Sequence, residues 1–213
     1  MLPALIMAGV ILLIIGFMIW IVNKAFNFTP KNIFEAVRHF KYDFINDYIE
    51  KGGDLNVKNI AGMTPLMILC DKGIKAKKGP HSSKFALDIK NIGPLFETIR
   101  LMEYLIEKGA KVNQRDNNGN SELFYAATSP EKIEVLLKAG TDINSINNGG
   151  ETILIAATRS GFYEIVKTML EFNADPDIKD SMGKTAIEYA YENNFEATKE
   201  LFIKKMGAYQ DQQ

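Results

Sequence analysis

Gly150–Asp180, GETILIAATRSGFYEIVKTMLEFNADPDIKD, is the stretch on which the fold turns, because variants of it recur on both sides. Thr152 stands at the head of an apolar run, where its hydroxyl can cap a short helix. That helix is expected to turn Leu154, Ala157 and Thr158 inward, with Ala156 small enough to admit a neighbour. A second helix follows Ser160-Gly161, and its Ile165, Val166, Met169 and Leu170 make one stripe of helical period. Asn173 ends it, since Asn tolerates the left-handed backbone of a helix C-terminus.

Two markers test whether the tile repeats. The end of the second helix recurs as Gly52, Gly109, Gly140 and Asn173, at intervals of 57, 31 and 33. The start of the first recurs as Thr64, Ser121, Thr152 and Thr185, at the same three intervals. Independent markers sharing one irregular interval define a repeat. The segments after the second helices also correspond: GGDLN at Gly52, GAKVN at Gly109, GTDIN at Gly140 and NADPD at Asn173.

The motif around each start marker resembles that of the ankyrin repeats, whose unit is a tight turn plus two antiparallel helices with a period of about 33 residues. Gly-x-Thr-Pro-Leu-His-x-Ala-Ala reads here as Gly62-Met63-Thr64-Pro65-Leu66-Met67-Ile68-Leu69-Cys70. It returns, with losses, as Gly119 to Ala127, Gly150 to Leu154 and Gly183 to Ile187. The resemblance implies an all-α solenoid of stacked helix-turn-helix units over residues 30–208, with units near 30–59, 60–116, 117–147, 148–180 and 181–208. The family's His is Met67, Phe124, Ile155 and Glu188 here. Only Glu188 can compensate, by a capping box with Thr185. The expectation is a soft stack, held more by apolar packing than by polar turn networks.

The chain has 213 residues, 46% of them hydrophobic and 24% charged, which allows one ordinary domain plus an extra piece. Leu2–Val22 carries no charge. A helix of that length spans the roughly 30 Å hydrocarbon layer, so residues 1–23 are read as a single transmembrane helix, with Trp20 as an interfacial anchor. A cleaved signal fits poorly, for no basic residue precedes the run and no small-x-small site follows it before Lys24. Lys24, Lys31, Arg38 and Lys41 follow the span, which places the repeats on the cytoplasmic side by the positive-inside rule. The reverse insertion, giving a periplasmic or extracellular repeat domain, is the competing topology. Residues 24–29 form a short tether that holds the repeats near the headgroups.

Pro30 is expected to open the first helix, with Ile33, Phe34, Val37 and Phe40 apolar there and Phe44, Ile45, Tyr48 and Ile49 on its partner. The interval of 57 hides an insertion at residues 73–94, whose Lys75, Lys77, Lys78, Lys84 and Lys90 face a single acid, Asp88. These lysines are candidates for contact with anionic lipid or an acidic partner. The last unit should expose Lys199, Glu200, Lys204 and Lys205 as a polar cap, before a frayed tail at 209–213.

Catalytic chemistry is thin. Two histidines, His39 and His81, and one cysteine make no metal cage, and no phosphate-loop or nucleophile-elbow motif occurs. No enzyme, cofactor or metal is expected, and Cys70 is read as a packing thiol. With 25 basic and 26 acidic residues the chain lacks a nucleic-acid footprint. The resemblance implies instead a protein partner docked on a concave surface. Carried onto this sequence, its contacts are Ile60, Ala61 and Met63; Asn117, Asn118 and Asn120; Asn148, Glu151 and Arg159; Ser181, Met182 and Lys184.

Overall fold

The structure, a computed structural model, describes residues 29–71 and 89–210, side chains at 89–93, 206 and 208–210 excepted. Ile33–Gln213 forms one compact unit, to which every element below belongs. Its helices come in pairs: α1 (Ile33–Arg38) with α2 (Tyr42–Glu50), α3 (Pro65–Asp71) with α4 (Ile89–Glu107), α5 (Glu122–Ala126) with α6 (Pro130–Lys138), α7 (Ile153–Ser160) with α8 (Tyr163–Glu171), and α9 (Ala186–Glu192) with α10 (Glu196–Gln210). Among the described residues every regular element is helical, apart from the isolated bridge Ile146–Thr152.

The pairs stack. First helices lie on first helices, α1 on α3, α3 on α5 and α7 on α9, while α4, α6, α8 and α10 pack in succession as a second layer. Leu66, Leu69, Leu123, Leu154 and Ala157 from one layer and Leu101, Leu105, Ile133, Leu136, Val166 and Met169 from the other are fully buried in one cluster. Each such Leu, Ile, Val or Met side chain contributes about 1.5–3 kcal/mol when removed from water. In α7 the buried face is wider than the expected stripe and includes Ile153 and Ile155, because this helix is covered by neighbours on more than one side.

The caps follow the motif residues. Thr152 accepts the Ile155 amide, Thr64 accepts the Met67 amide at 3.2 Å, and Thr185 and Glu188 form the full capping box. Ser121 makes no cap bond and its hydroxyl meets that of Ser145 at 3.0 Å instead. Gly52, Gly109, Gly140 and Asn173 all take positive φ, between 62° and 100°, where the second helices end.

Four local expectations need correction. The first helix begins at Ile33, not at Pro30: proline fixes its own φ but does not oblige the next residues to wind, and Lys31-Asn32 form a bend. The insertion ends sooner than Pro94, since α4 starts at Ile89 and passes through that proline. Pro94 is the sixth residue of that helix, past the first turn, so it forgoes one intrahelical N–H bond, and the Thr98 hydroxyl donates to the Pro94 carbonyl at 2.7 Å. The last helix continues through Gln210, so part of the predicted tail is helical. Lys199 is covered rather than solvated, paired with Glu196 at 2.7 Å over the Tyr191 ring.

Lys75, Lys77, Lys78 and Lys84 lie outside the described residues, and Lys90 is on α4 with its side chain not described. The predicted span Leu2–Val22 also lies outside them. Among the described residues no helix is long and apolar enough to cross a membrane.

Candidate functional site along the turn tips

Each turn before α3, α5, α7 and α9 is built by one Asx residue. Asn59, Asp116, Asn147 and Asp180 recur at the intervals 57, 31 and 33, and each carboxyl or amide oxygen accepts two backbone N–H groups. Asn59 takes those of Ala61 and Met63 at 2.9 and 3.0 Å, and Asp116 takes Asn118 and Asn120 at 2.9 and 2.7 Å. Asn147 takes Gly149 and Glu151 at 2.8 and 3.1 Å, and Asp180 takes Met182 and Lys184 at 2.9 and 3.0 Å. The side chain thus imitates a backbone turn and fixes the tip.

The tips are then joined to one another. Asn117 donates its amide N–H to the Ala61 carbonyl at 3.1 Å and its side-chain Nδ2 to Ile60 at 3.0 Å. Asn148 repeats this one unit on, to Asn118 at 3.0 Å and Asn117 at 3.2 Å, and the Ser181 N–H reaches Gly149 at 3.0 Å. The approach is close. A Cβ on Gly62 would sit 2.4 Å from Asn117 Oδ1, and one on Gly119 would sit 2.4 Å from Asn148 Oδ1.

A second set of rungs ties the opposite loops. Asn56, Asn113 and Asn144 accept the amides of Lys111, Asp142 and Asp175 at 2.7, 2.7 and 2.9 Å, so each unit grips the next. Lys58 Nζ also reaches the Arg115 carbonyl at 2.7 Å, and the Arg115 guanidinium bonds the Ile146 carbonyl. The expectation of a stack poor in polar turn contacts is therefore wrong. Backbone amides and asparagines form a continuous network that does not need the missing His.

Residues 129–213 match the family model described as ankyrin repeats (3 copies). The chain is 30% identical over 188 residues to Neurogenic locus notch homolog protein 1 of Danio rerio, which covers 75% of this chain and 8% of that protein. It is 34% identical over 113 residues to Neurogenic locus notch homolog protein 2 of Homo sapiens (51% of this chain, 4% of that protein) and 39% identical over 77 residues to E3 ubiquitin-protein ligase XBAT33 of Arabidopsis thaliana (35% and 15%). Residues 129–213 carry ankyrin repeats. The chain spans at most 15% of the length of these three relatives, so their names carry no reaction or partner across. Ankyrin repeats are protein–protein interaction modules, and that much applies to this stack.

Within the stack the acidic residues divide by surroundings. At Asp116 burial pushes the carboxyl up, but hydrogen bonds from the Tyr125 hydroxyl and the Asn120 and Asn118 amides together outweigh it and hold the group low. Asp180 is the same case, with burial opposed by the Tyr189 hydroxyl at 2.6 Å and by the Lys184 and Met182 amides. That bond pushes Tyr189 up to about 12. Tyrosine lies nine residues after the Asx residue where that residue is Asp; where it is Asn, at Asn59 and Asn147, the corresponding residues are Ile68 and Ala156. Glu122 is fully buried and goes the other way: burial raises it despite the Gln114 and Asn113 amides at 3.1 Å. Cys70 is buried and free, and burial pushes its thiol up.

One functional-looking residue escaped the sequence. Lys132 is 1% exposed and donates from Nζ to the Cys70 carbonyl at 2.8 Å, near the end of α3 where the insertion begins. A cation suits the carbonyl end of a helix. Burial lowers its pKa, and Cys70, Asp71 and Glu131 oppose that. In sequence it looks like any solvated helix lysine; only its alignment with buried Ile165, 33 residues on, hinted at an inward slot.

The residues expected to bind a partner all fall on the tips and first helices, but they are not equally available. Ile60 is 102% and Met182 71% exposed, and Ala61, Asn118 and Ser181 are exposed. Met63 is half-buried. Asn117 and Asn148 spend their amides inside the ladder, and Asn120 bonds Asp116 and Asn147. Glu151 pairs with Arg159 at 2.7 Å and Lys184 with Glu192 at 2.6 Å, so the charges of the two C-terminal units neutralise each other with opposite polarity. Elsewhere an open hollow of about 240 Å³, lined by Tyr42, Arg100, Glu103, Tyr104 and Glu107, brings together no nucleophile and base. Among the described residues no group of three or more His, Cys, Asp or Glu could hold a metal ion.

Proposed function

We propose that this chain is a membrane-anchored ankyrin-repeat protein that holds or inhibits a partner protein through the concave surface of its repeats. The observation that supports the reading is the tip ladder, which lines up Ile60, Ala61, Asn118 and Met182 as exposed side chains on a hydrogen-bonded, pre-ordered edge. A rigid edge loses little entropy on docking, and exposed apolar residues there supply desolvation. The uncharged run Leu2–Val22 would anchor the chain, with the repeats on the cytoplasmic side and Lys75, Lys77, Lys78, Lys84 and Lys90 against anionic headgroups. Capture of partners from membranes by the full chain is the test, compared with a variant carrying Ile60→Ser, Asn118→Ala and Met182→Ser. None of these side chains takes part in a rung, so the stack stays folded and the partner should be lost. Undiminished capture of the same partner by the folded variant would move the binding face elsewhere.

A further inference from the structure

Two Asn-Gly pairs stand in the tips, Asn118-Gly119 and Asn148-Gly149. We propose that Asn118 is a modification site, where the side-chain amide is lost spontaneously to give aspartate and isoaspartate, and that the ladder spares Asn148. The reaction is intramolecular. The backbone nitrogen of the following residue gives up its proton and attacks the side-chain carbonyl carbon; a new C–N bond forms, the amide C–N bond breaks, and ammonia leaves. Water then opens the cyclic imide at either carbonyl. A following glycine favours the attack because no Cβ obstructs it.

The two nucleophiles are engaged alike. Gly119 N–H is held by the Asp116 carbonyl at 3.1 Å, and Gly149 N–H by Asn147 Oδ1 at 2.8 Å. The electrophiles differ. Asn148 is pinned by its Nδ2 on the Asn117 carbonyl, and its Oδ1 is seated against Gly119, so swinging toward its own backbone would break a rung. The Asn118 side chain is exposed and makes no hydrogen bond among the described residues; the bonds of this residue are made by its backbone, the N–H to Asp116 and the carbonyl to Asn148. It is free to reach the reactive geometry. Conversion also has a structural effect, because isoaspartate inserts a methylene into the main chain and displaces the Asn118 carbonyl that accepts Asn148 N–H at 3.0 Å. The product is a stack with one rung cut and a new carboxylate on its tip edge.

The full chain is aged at neutral pH in heavy-oxygen water and mapped by tryptic peptides, Asp116–Lys132 holding one site and Ala139–Arg159 the other. Fragmentation separates Asn118 from Asn117. In the folded chain Asn118 should convert at least several-fold faster than Asn148, whereas in denaturant the two should convert at similar rates. Asn148 keeping pace with Asn118 in the folded chain, Asn118 converting no faster than Asn117, or sparing of Asn148 that persists in denaturant would each overturn the assignment. Asn118→Ser should abolish the signal without touching a side-chain rung.

Discussion

Thr141 fills a slot that alanine fills in the units on either side, as Ala110 and Ala174, and its buried hydroxyl has no hydrogen-bond partner among the described residues. Removing an unsatisfied buried group outweighs the lost methyl, so Thr141→Ala should raise stability by about 1 kcal/mol, read from the urea midpoint. The Asp180–Tyr189 pair makes an opposite case. Because Asp180 is held below the usual carboxylate range, its stabilisation is complete above the unfolded carboxylate pKa and is lost as pH falls through the lower folded value. Tyr189→Phe should cost about 1–2 kcal/mol at neutral pH, raise the Asp180 pKa and make the acid-side loss smaller, since the interval between unfolded and folded pKa narrows. Urea melts across the acid range would show it; a variant with the parent's acid limb would mean the hydroxyl does not set that pKa. Glu122 has the reverse sign, since a raised folded pKa means that stability falls as pH rises from the unfolded value to the folded one.

In the turn tips, glycine meets two separate demands. Gly62 and Gly183 share nearly the same left-handed φ, 78° and 77°, but a Cβ at Gly62 would strike Asn117 whereas nothing lies within 4 Å of one at Gly183. Gly183→Ala should therefore cost only the backbone conformation, about 1–3 kcal/mol, and Gly62→Ala distinctly more. Equal thermal shifts for the two would deny the close approach of tips. This contact also marks what the sequence could tell. Start and end residues such as Thr152 and Asn173 were legible because capping and left-handed termination act within a few residues. The Asx set Asn59, Asp116, Asn147 and Asp180 was equally visible in its spacing, which repeats the intervals of the helix markers. The reach of Asn117 to Ile60 joins residues 57 apart in sequence and needed coordinates. So did Lys132, whose partner is a carbonyl across the insertion.

For the whole stack, stability is a sum of units and interfaces, so damage in the middle separates the ends. Leu154 is 1% exposed between neighbours, and Leu154→Asp places a carboxylate in apolar surroundings without a partner. A loss of about 4 kcal/mol or more is expected, with early proteolysis around α7. The proposed span Leu2–Val22 and residues 73–88 of the insertion lie outside the described residues, and the account of the stack rests on the helices alone. Its central claim is that neighbouring turns are bonded to each other, not merely aligned by packing. Native-state hydrogen exchange of the Asn117, Asn148 and Ser181 amides tests that most directly. These exposed-tip N–H groups should be protected and should lose protection together with their adjoining units, whereas exchange as fast as in an unstructured peptide would contradict the ladder.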